Sequence, residues 1–160
     1  MKPDKNNIGN AGEYYVASKL SAMDCIVTVT LGRAEAFDLL IVTKNGKGSH
    51  YKVSVKTAWS ATAGSFVLNQ KAELINSPDL FYAFVKINEN VSSPEVWIIP
   101  SSFVASVVRK SHQNYIESGH NQNSLRGFPI TKPRGSYDTY YDFVDFNKID
   151  TYKGNYSVFK

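Results

Sequence analysis

The chain has 160 residues, a formal net charge of +4, 42% hydrophobic and 20% charged residues, which is the make-up of one ordinary soluble globular domain with a core of its own. Its single cysteine, Cys25, excludes an internal disulfide and any cysteine-based zinc site. The opening MKPDKNNIGN has no apolar leader and no run approaches the ~20 apolar residues of a membrane span, so a cytoplasmic protein without a membrane partner is the default expectation.

Ten Tyr and nine Phe stand against two Trp. Tyrosine suits half-buried sheet surfaces and polar binding faces, but it selects no function by itself. The mildly basic balance is compatible with a polyanionic partner and is weak evidence for one.

Residues 6–23, NNIGNAGEYYVASKLSAM, read as the first helix, with Asn6 or Asn7 as N-cap. Ile8, Ala11, Tyr15 and Ala22 mark one apolar line, and Val16, Leu20 and Met23 another beside it. Glu13 borders that stripe rather than the solvent face, a mild anomaly for a carboxylate. The plainer account is a first-turn glutamate favoured by the helix dipole.

Cys25 to Leu31 is β-branched and alternating, a strand that Gly32 ends. Phe37 to Val42 and His50 to Thr57 are the next two strands, joined by Asn45-Gly46 and Lys47-Gly48, which supply the positive φ angles of a hairpin. In the second of these, Tyr51, Val53 and Val55 face one way while Lys52, Ser54 and Lys56 face the other. A hairpin sets the start of one strand beside the end of the other. Asp38 and Lys56 therefore belong to one locale.

Ser65 to Leu68 reads as a short strand, Gln70 to Ile75 as a short helix, and Leu80 to Ile87 as a strand covered on both faces. Glu95 to Ile99 is another buried strand, and Pro100-Ser101-Ser102 opens a helix to about Glu117, with Phe103, Val107 and either Val104 or Val108 inward. Ser118 to Thr139 is polar and glycine-rich, a long irregular excursion of the kind that often carries function. Tyr140 to Asp150 reads as a last strand or helix. The pattern is α/β with a mixed sheet flanked by helices, one domain over residues 1–160, with a core of about 6–118 and an irregular extension over 119–160.

Phosphodiester hydrolysis needs oxygen ligands that hold a divalent cation against the phosphate, and a group that orients the attacking water. Asp38, Lys56 and Glu13 supply such parts. With GNAGEYYVASKL, the aspartate of AFDLLIV, and VSVKT, the chain resembles the PD-(D/E)XK nuclease superfamily over roughly residues 6–100. That resemblance implies a three-layer restriction-endonuclease-like core and metal-dependent DNA cleavage with Mg2+ or Mn2+. It implies Asp38 as first metal ligand, Lys56 as catalytic lysine, Glu13 as an accessory ligand and the carbonyl of Val55 as a further one. The chain departs from the pattern at Ser54, where the family carries a carboxylate. Ser54 itself or Glu35 would then be the remaining candidate ligand.

Arg109, Lys110, Arg126, Lys132 and Arg134 stand against one acid, Glu117, in the segment 109–134. Phosphate contacts from these five would position DNA without reading its sequence. The reading is a metal-dependent DNA endonuclease. Its alternative is a silent DNA-binding or complex-forming protein on the same fold, with a small α/β domain unrelated to nucleic acid as a third. Cutting both strands favours a homodimer, which no residue here specifies.

Overall fold

The structure, a computed structural model, describes residues 2–30, 37–44, 49–60, 62–88, 93–123 and 125–160. Glu35 and the expected hairpin turn at 45–48 lie outside the described residues, as do Leu31 and Gly32.

Helix α1 spans Lys5–Ser21. Asp4 caps it, its carboxylate accepting from the Asn6 N–H at 2.8 Å, which replaces the expected Asn6 or Asn7 cap. Its buried line is Ile8, Gly12, Val16 and Leu20, at helical spacing. Ala11 and Ala22 are exposed, so the apolar stripe is narrower than the sequence suggested and runs through a glycine.

Five strands form one mixed sheet: β1 (Ile26–Val29), β2 (Leu39–Val42), β3 (His50–Trp59), β5 (Leu80–Ile87) and β6 (Glu95–Pro100), in the order β1-β2-β3-β5-β6. β1, β2 and β3 are antiparallel neighbours, β3 and β5 run parallel, and β6 returns antiparallel to β5. The parallel step requires a crossover between β3 and β5. That crossover contains β4 (Ser65–Asn69) and a 3-10 helix at Gln70–Glu73.

β4 stays out of the main sheet. It pairs antiparallel with β7 (Leu125–Pro129), giving a separate two-stranded ribbon in which Val67 opposes Gly127. The segment Ser118–Thr139 is therefore not irregular throughout. A five-residue strand whose partner lies far back in the chain leaves little local signal in a polar, glycine-containing stretch.

Two cores lie on opposite faces of the sheet. One joins α1 to Val53, Val55, Leu39 and Ile41, with Phe159 from the C-terminal end. The other joins Tyr82, Phe84 and Ile99 to the ribbon's Phe66 and Phe128 and to helix α2 (Ser101–Glu117) through Val104, Val107 and Val108. The Phe84 and Phe128 rings stack with centroids 4.8 Å apart, tying ribbon to sheet. Helix α3 (Phe146–Thr151) adds Ile149 to this second core. The result is three layers: α1, the mixed sheet, and α2 with the ribbon. Residues beyond 118 supply Phe128, Ile130, Ile149 and Phe159 to the two cores.

Candidate active site

The strand alternation expected for β3 is what forms. Val53 and Val55 go into the α1 core, which sends Ser54 and Lys56 to the other face. Asp38 precedes β2 by one residue and opposes Ser54, since Leu39 pairs with Val53. Its backbone is fixed on both sides: its N–H donates to the Val53 carbonyl at 2.8 Å, and its carbonyl accepts from the Thr30 N–H at 2.9 Å. The Thr30 hydroxyl also donates to that carbonyl at 3.1 Å. These bonds hold the side chain at the point where β2 begins.

Asp38 Oδ2 accepts the Val55 N–H at 2.6 Å and the Ser54 hydroxyl at 3.4 Å, and lies 3.8 Å from Lys56 Nζ. Lys56 Nζ also donates to the Val55 carbonyl at 3.2 Å. Asp38, Ser54, Val55 and Lys56 thus meet around one carboxylate. Both charged side chains keep about a third of their surface, 36% for Lys56 and 30% for Asp38, so a phosphate has access to them.

Glu13 arrives from α1. Its carboxyl is held above the ordinary 4.5, first by burial and then by the Asp38 charge, with Lys56 pulling the other way. Glu13 therefore shares the electrostatic field of both residues.

What brings the helix close enough is Gly12. A Cβ at that position would overlap the Thr57 hydroxyl on β3, so only glycine permits this approach of α1 to the strand. Thr57 Oγ1 is buried there without a hydrogen-bond partner among the described residues. The residues flanking this contact are Glu13 on the helix and Lys56 on the strand. Sequence reading took Gly12 only as part of GNAGEYYVASKL and passed over its packing role, although glycine inside a helix costs about 1 kcal/mol relative to alanine and so marks a packing demand. It also passed over Tyr82, the register partner of Ser54. Burial and then the Asp38 charge push the Tyr82 phenol up to about 12, keeping it a neutral wall beside the carboxylate.

The donor set is all oxygen: the Asp38 and Glu13 carboxylates and the Val55 carbonyl. That chemistry fits Mg2+ or Mn2+, which one or two carboxylates suffice to hold. Among the described residues no group of three or more His, Cys, Asp and Glu side chains gathers, so these two carboxylates would bind without a third. Ser54, 5% exposed, offers its hydroxyl to Asp38 rather than a negative charge of its own.

The five basic residues of the 109–134 segment do not act alike. Arg126 is buried, with 3% of its surface exposed, and its guanidinium pairs with Glu73 and donates to the carbonyls of Asn123 (2.7 Å) and Leu125 (2.9 Å). No phosphate reaches it, and its expected place in a DNA surface is corrected to a place in the fold. Arg109 and Lys110 are exposed on α2, the first donating to the Glu73 carbonyl at 2.6 Å, the second lying 4.6 Å over the Phe143 ring. Lys132 stands 3.6 Å from Asp138, and Arg134 is exposed ahead of the 3-10 helix at Gly135–Tyr141.

Neither a protein-family model nor a curated protein sequence matches the chain. Its structure is similar to that of a bacterial homing endonuclease, I-Ssp6803I, with a TM-score of 0.52 and 17% sequence identity over 98% of this chain and 93% of that one. The two chains share a fold. The mixed five-stranded sheet flanked by helices belongs to that shared fold.

Proposed function

We propose that the chain is a metal-dependent DNA endonuclease whose site is Asp38, Glu13 and Lys56. The observation that carries the reading is the convergence of Asp38, Lys56 and the Val55 carbonyl at the start of β2, with Glu13 in their field, on a fold shared with a homing endonuclease. Asp38 and Glu13, with the Val55 carbonyl, are the residues that would hold Mg2+ or Mn2+. A cation held there offsets the phosphate's charge and polarises its oxygens as a Lewis acid.

The protein's own groups supply the rest. The Val55 N–H fixes one oxygen of Asp38, which leaves the other free of hydrogen bonds among the described residues. Lys56 Nζ sits between the Asp38 carboxylate and the Val55 carbonyl, so it is aimed at the same point as the ligands. From there it donates a hydrogen bond to the attacking water and sets positive charge beside the phosphate as negative charge grows in the transition state. Tyr82 stays neutral and keeps that face of the site from gaining a competing anion.

Ser54 favours a second reading. A hydroxyl where related nucleases carry a carboxylate weakens cation binding, which suits a DNA-binding protein that no longer cuts. A cleavage assay with Mg2+ or Mn2+ on linear, branched and single-stranded DNA separates the two. Cutting by the wild type that Asp38→Ala and Lys56→Ala both abolish, with DNA binding retained, supports the endonuclease. Salt-dependent binding without cutting supports the silent form, and no DNA binding removes both.

A further inference from the structure

Helix α1 carries both Gly9 and Gly12 in its interior, and the fold accounts for one of them. Glycine weakens a helix relative to alanine, so each position calls for a reason. Gly12 has one in the Thr57 hydroxyl that lies against it. Gly9 has none within the protein: a Cβ there would meet no atom within 4 Å among the described residues. The space over Gly9 is open, and glycine leaves it open.

That space is continuous with the candidate active site. Lys5, Gly9 and Glu13 follow one another at intervals of four residues, which sets them in one row along the helix, with Asn6 and Asn10 beside it. The row leads away from the site past the carboxyl end of β3. Gly12 meets Thr57 near that end, whereas the other end of α1 turns into β1, whose Ile26 is linked through Val42 to His50 at the start of β3.

The side chains along the row suit a line of phosphates. Lys5 is exposed and in no ion pair among the described residues. Asn6 and Asn10 are exposed too, and their amides are donors of the kind that position a DNA backbone. At a rise of ~1.5 Å per residue Lys5 stands about 12 Å from Glu13, the axial span of about three or four phosphates of one strand. Between them the helix presents the side chain least able to obstruct a sugar–phosphate backbone. These contacts come from side chains and not from the end of the helix, where Asp4 already takes the Asn6 N–H.

We propose that one DNA strand runs along α1 from Glu13 over Gly9 to Lys5, so that this half of the helix holds the phosphates on one side of the cleavage residues. The inference rests on the reading of the chain as a DNA endonuclease, and it adds the direction in which the substrate leaves the site.

The test measures binding of a short labelled duplex and of its single strand without divalent cation, so it does not depend on cutting. The proteins are the wild type, Gly9→Ala, Gly9→Gln, Lys5→Ala and, as a control at the far end of the helix, Lys19→Ala. Gly9→Ala is expected to raise the melting temperature by about 2–4 °C, since alanine suits a helix better and meets nothing in the free protein. Gly9→Gln is expected to bind DNA about tenfold more weakly, with Gly9→Ala between it and the wild type. Lys5→Ala is expected to weaken binding and to lower the salt slope by about 1, and Lys19→Ala to do neither. A Mn2+ titration of Gly9→Gln that matches the wild type places the loss on DNA and not on a displaced Glu13.

Three outcomes overturn the path: wild-type affinity in Gly9→Gln, an unchanged salt slope in Lys5→Ala, or a melting temperature lowered by Gly9→Ala, which would give Gly9 a role in the fold. If the wild type cuts DNA and Gly9→Gln binds as well as it does, the path alone falls. If Gly9→Gln loses binding and the wild type does not cut, the endonuclease reading alone falls. A wild type that binds no DNA removes both.

Discussion

Two ion pairs join distant stretches of this chain, and they are built in opposite ways. Arg126 and Glu73 keep 1% and 17% of their side-chain surface, and the guanidinium's Nη1 donates to two backbone carbonyls. Lys56 and Asp38 keep 36% and 30%, stand 3.8 Å apart, and leave one carboxylate oxygen without a hydrogen bond among the described residues. The first pair is buried and tied into the backbone of the fold. The second has geometry fixed by backbone bonds and valence left over for something else. Burial and ties to the backbone mark the structural pair; fixed backbone with unsaturated side chains marks the candidate site.

The largest effect that separates them is on cleavage. Lys56→Ala is expected to lower the cutting rate by at least about a hundredfold. The same change should move thermal stability by less than about 1 kcal/mol, because a half-exposed pair contributes little. Gel-based cleavage alongside a melting curve reads both numbers. An unfolded Lys56→Ala would mean that this pair, too, is structural.

Arg126→Ala is the converse. Removing one partner of a buried pair leaves the Glu73 charge uncompensated, a cost of about 3–5 kcal/mol. In a chain of this size that lowers the melting temperature by roughly 10 °C or more. Replacing both partners together, Arg126→Met with Glu73→Leu, is expected to restore most of the loss. An unchanged melting temperature in Arg126→Ala would return Arg126 to the list of available cations.

Gly12→Ala tests what joins helix to site. Overpacking against Thr57 costs about 1–3 kcal/mol, and the better helix propensity of alanine returns up to about 1 of it. Urea denaturation should show a net loss of about 1–2 kcal/mol. Cutting should fall further than stability does, since Glu13 moves with the helix.

Glu13→Gln carries an opposite sign. The raised carboxyl of Glu13 means that the folded state holds its proton more tightly than the unfolded one, so ionising it costs stability. That cost is absent below the ordinary value of 4.5 and is in full force once the pH has risen through the raised folded-state value. The metal-free variant should therefore melt slightly higher than the wild type at pH 7 and equally near pH 4, while losing cleavage. Ser54→Ala is the smallest change. Its bond to Asp38 is long at 3.4 Å, so the loss should be under about 1 kcal/mol and cutting should persist.

The sequence made the candidate site more legible than its surroundings. Asp38, Ser54 and Lys56 were placed by strict alternation in β3 and by hairpin pairing, both of which have strong local signatures. β5 is bounded as expected because a continuous apolar run leaves few other options. The ribbon was missed for the opposite reason. β7 takes its meaning from β4, more than fifty residues away, and its local sequence LRGFP contains a glycine, a proline and an arginine. Arg126 was misassigned along with it, since nothing local tells a buried arginine from an exposed one. Gly12 was visible as an unusual helix residue, but its partner Thr57 lies in a different layer.

Calorimetric titration of Mn2+ into the wild type, Asp38→Ala, Glu13→Gln and Lys56→Ala, without DNA, tests the central claim most directly. Binding by the wild type is predicted to be lost in Asp38→Ala and weakened in Glu13→Gln. Lys56→Ala, relieved of a competing positive charge beside the carboxylate, is predicted to bind at least as tightly as the wild type while failing to cut. Indistinguishable titrations for all four proteins, or no binding by any of them, would contradict the account.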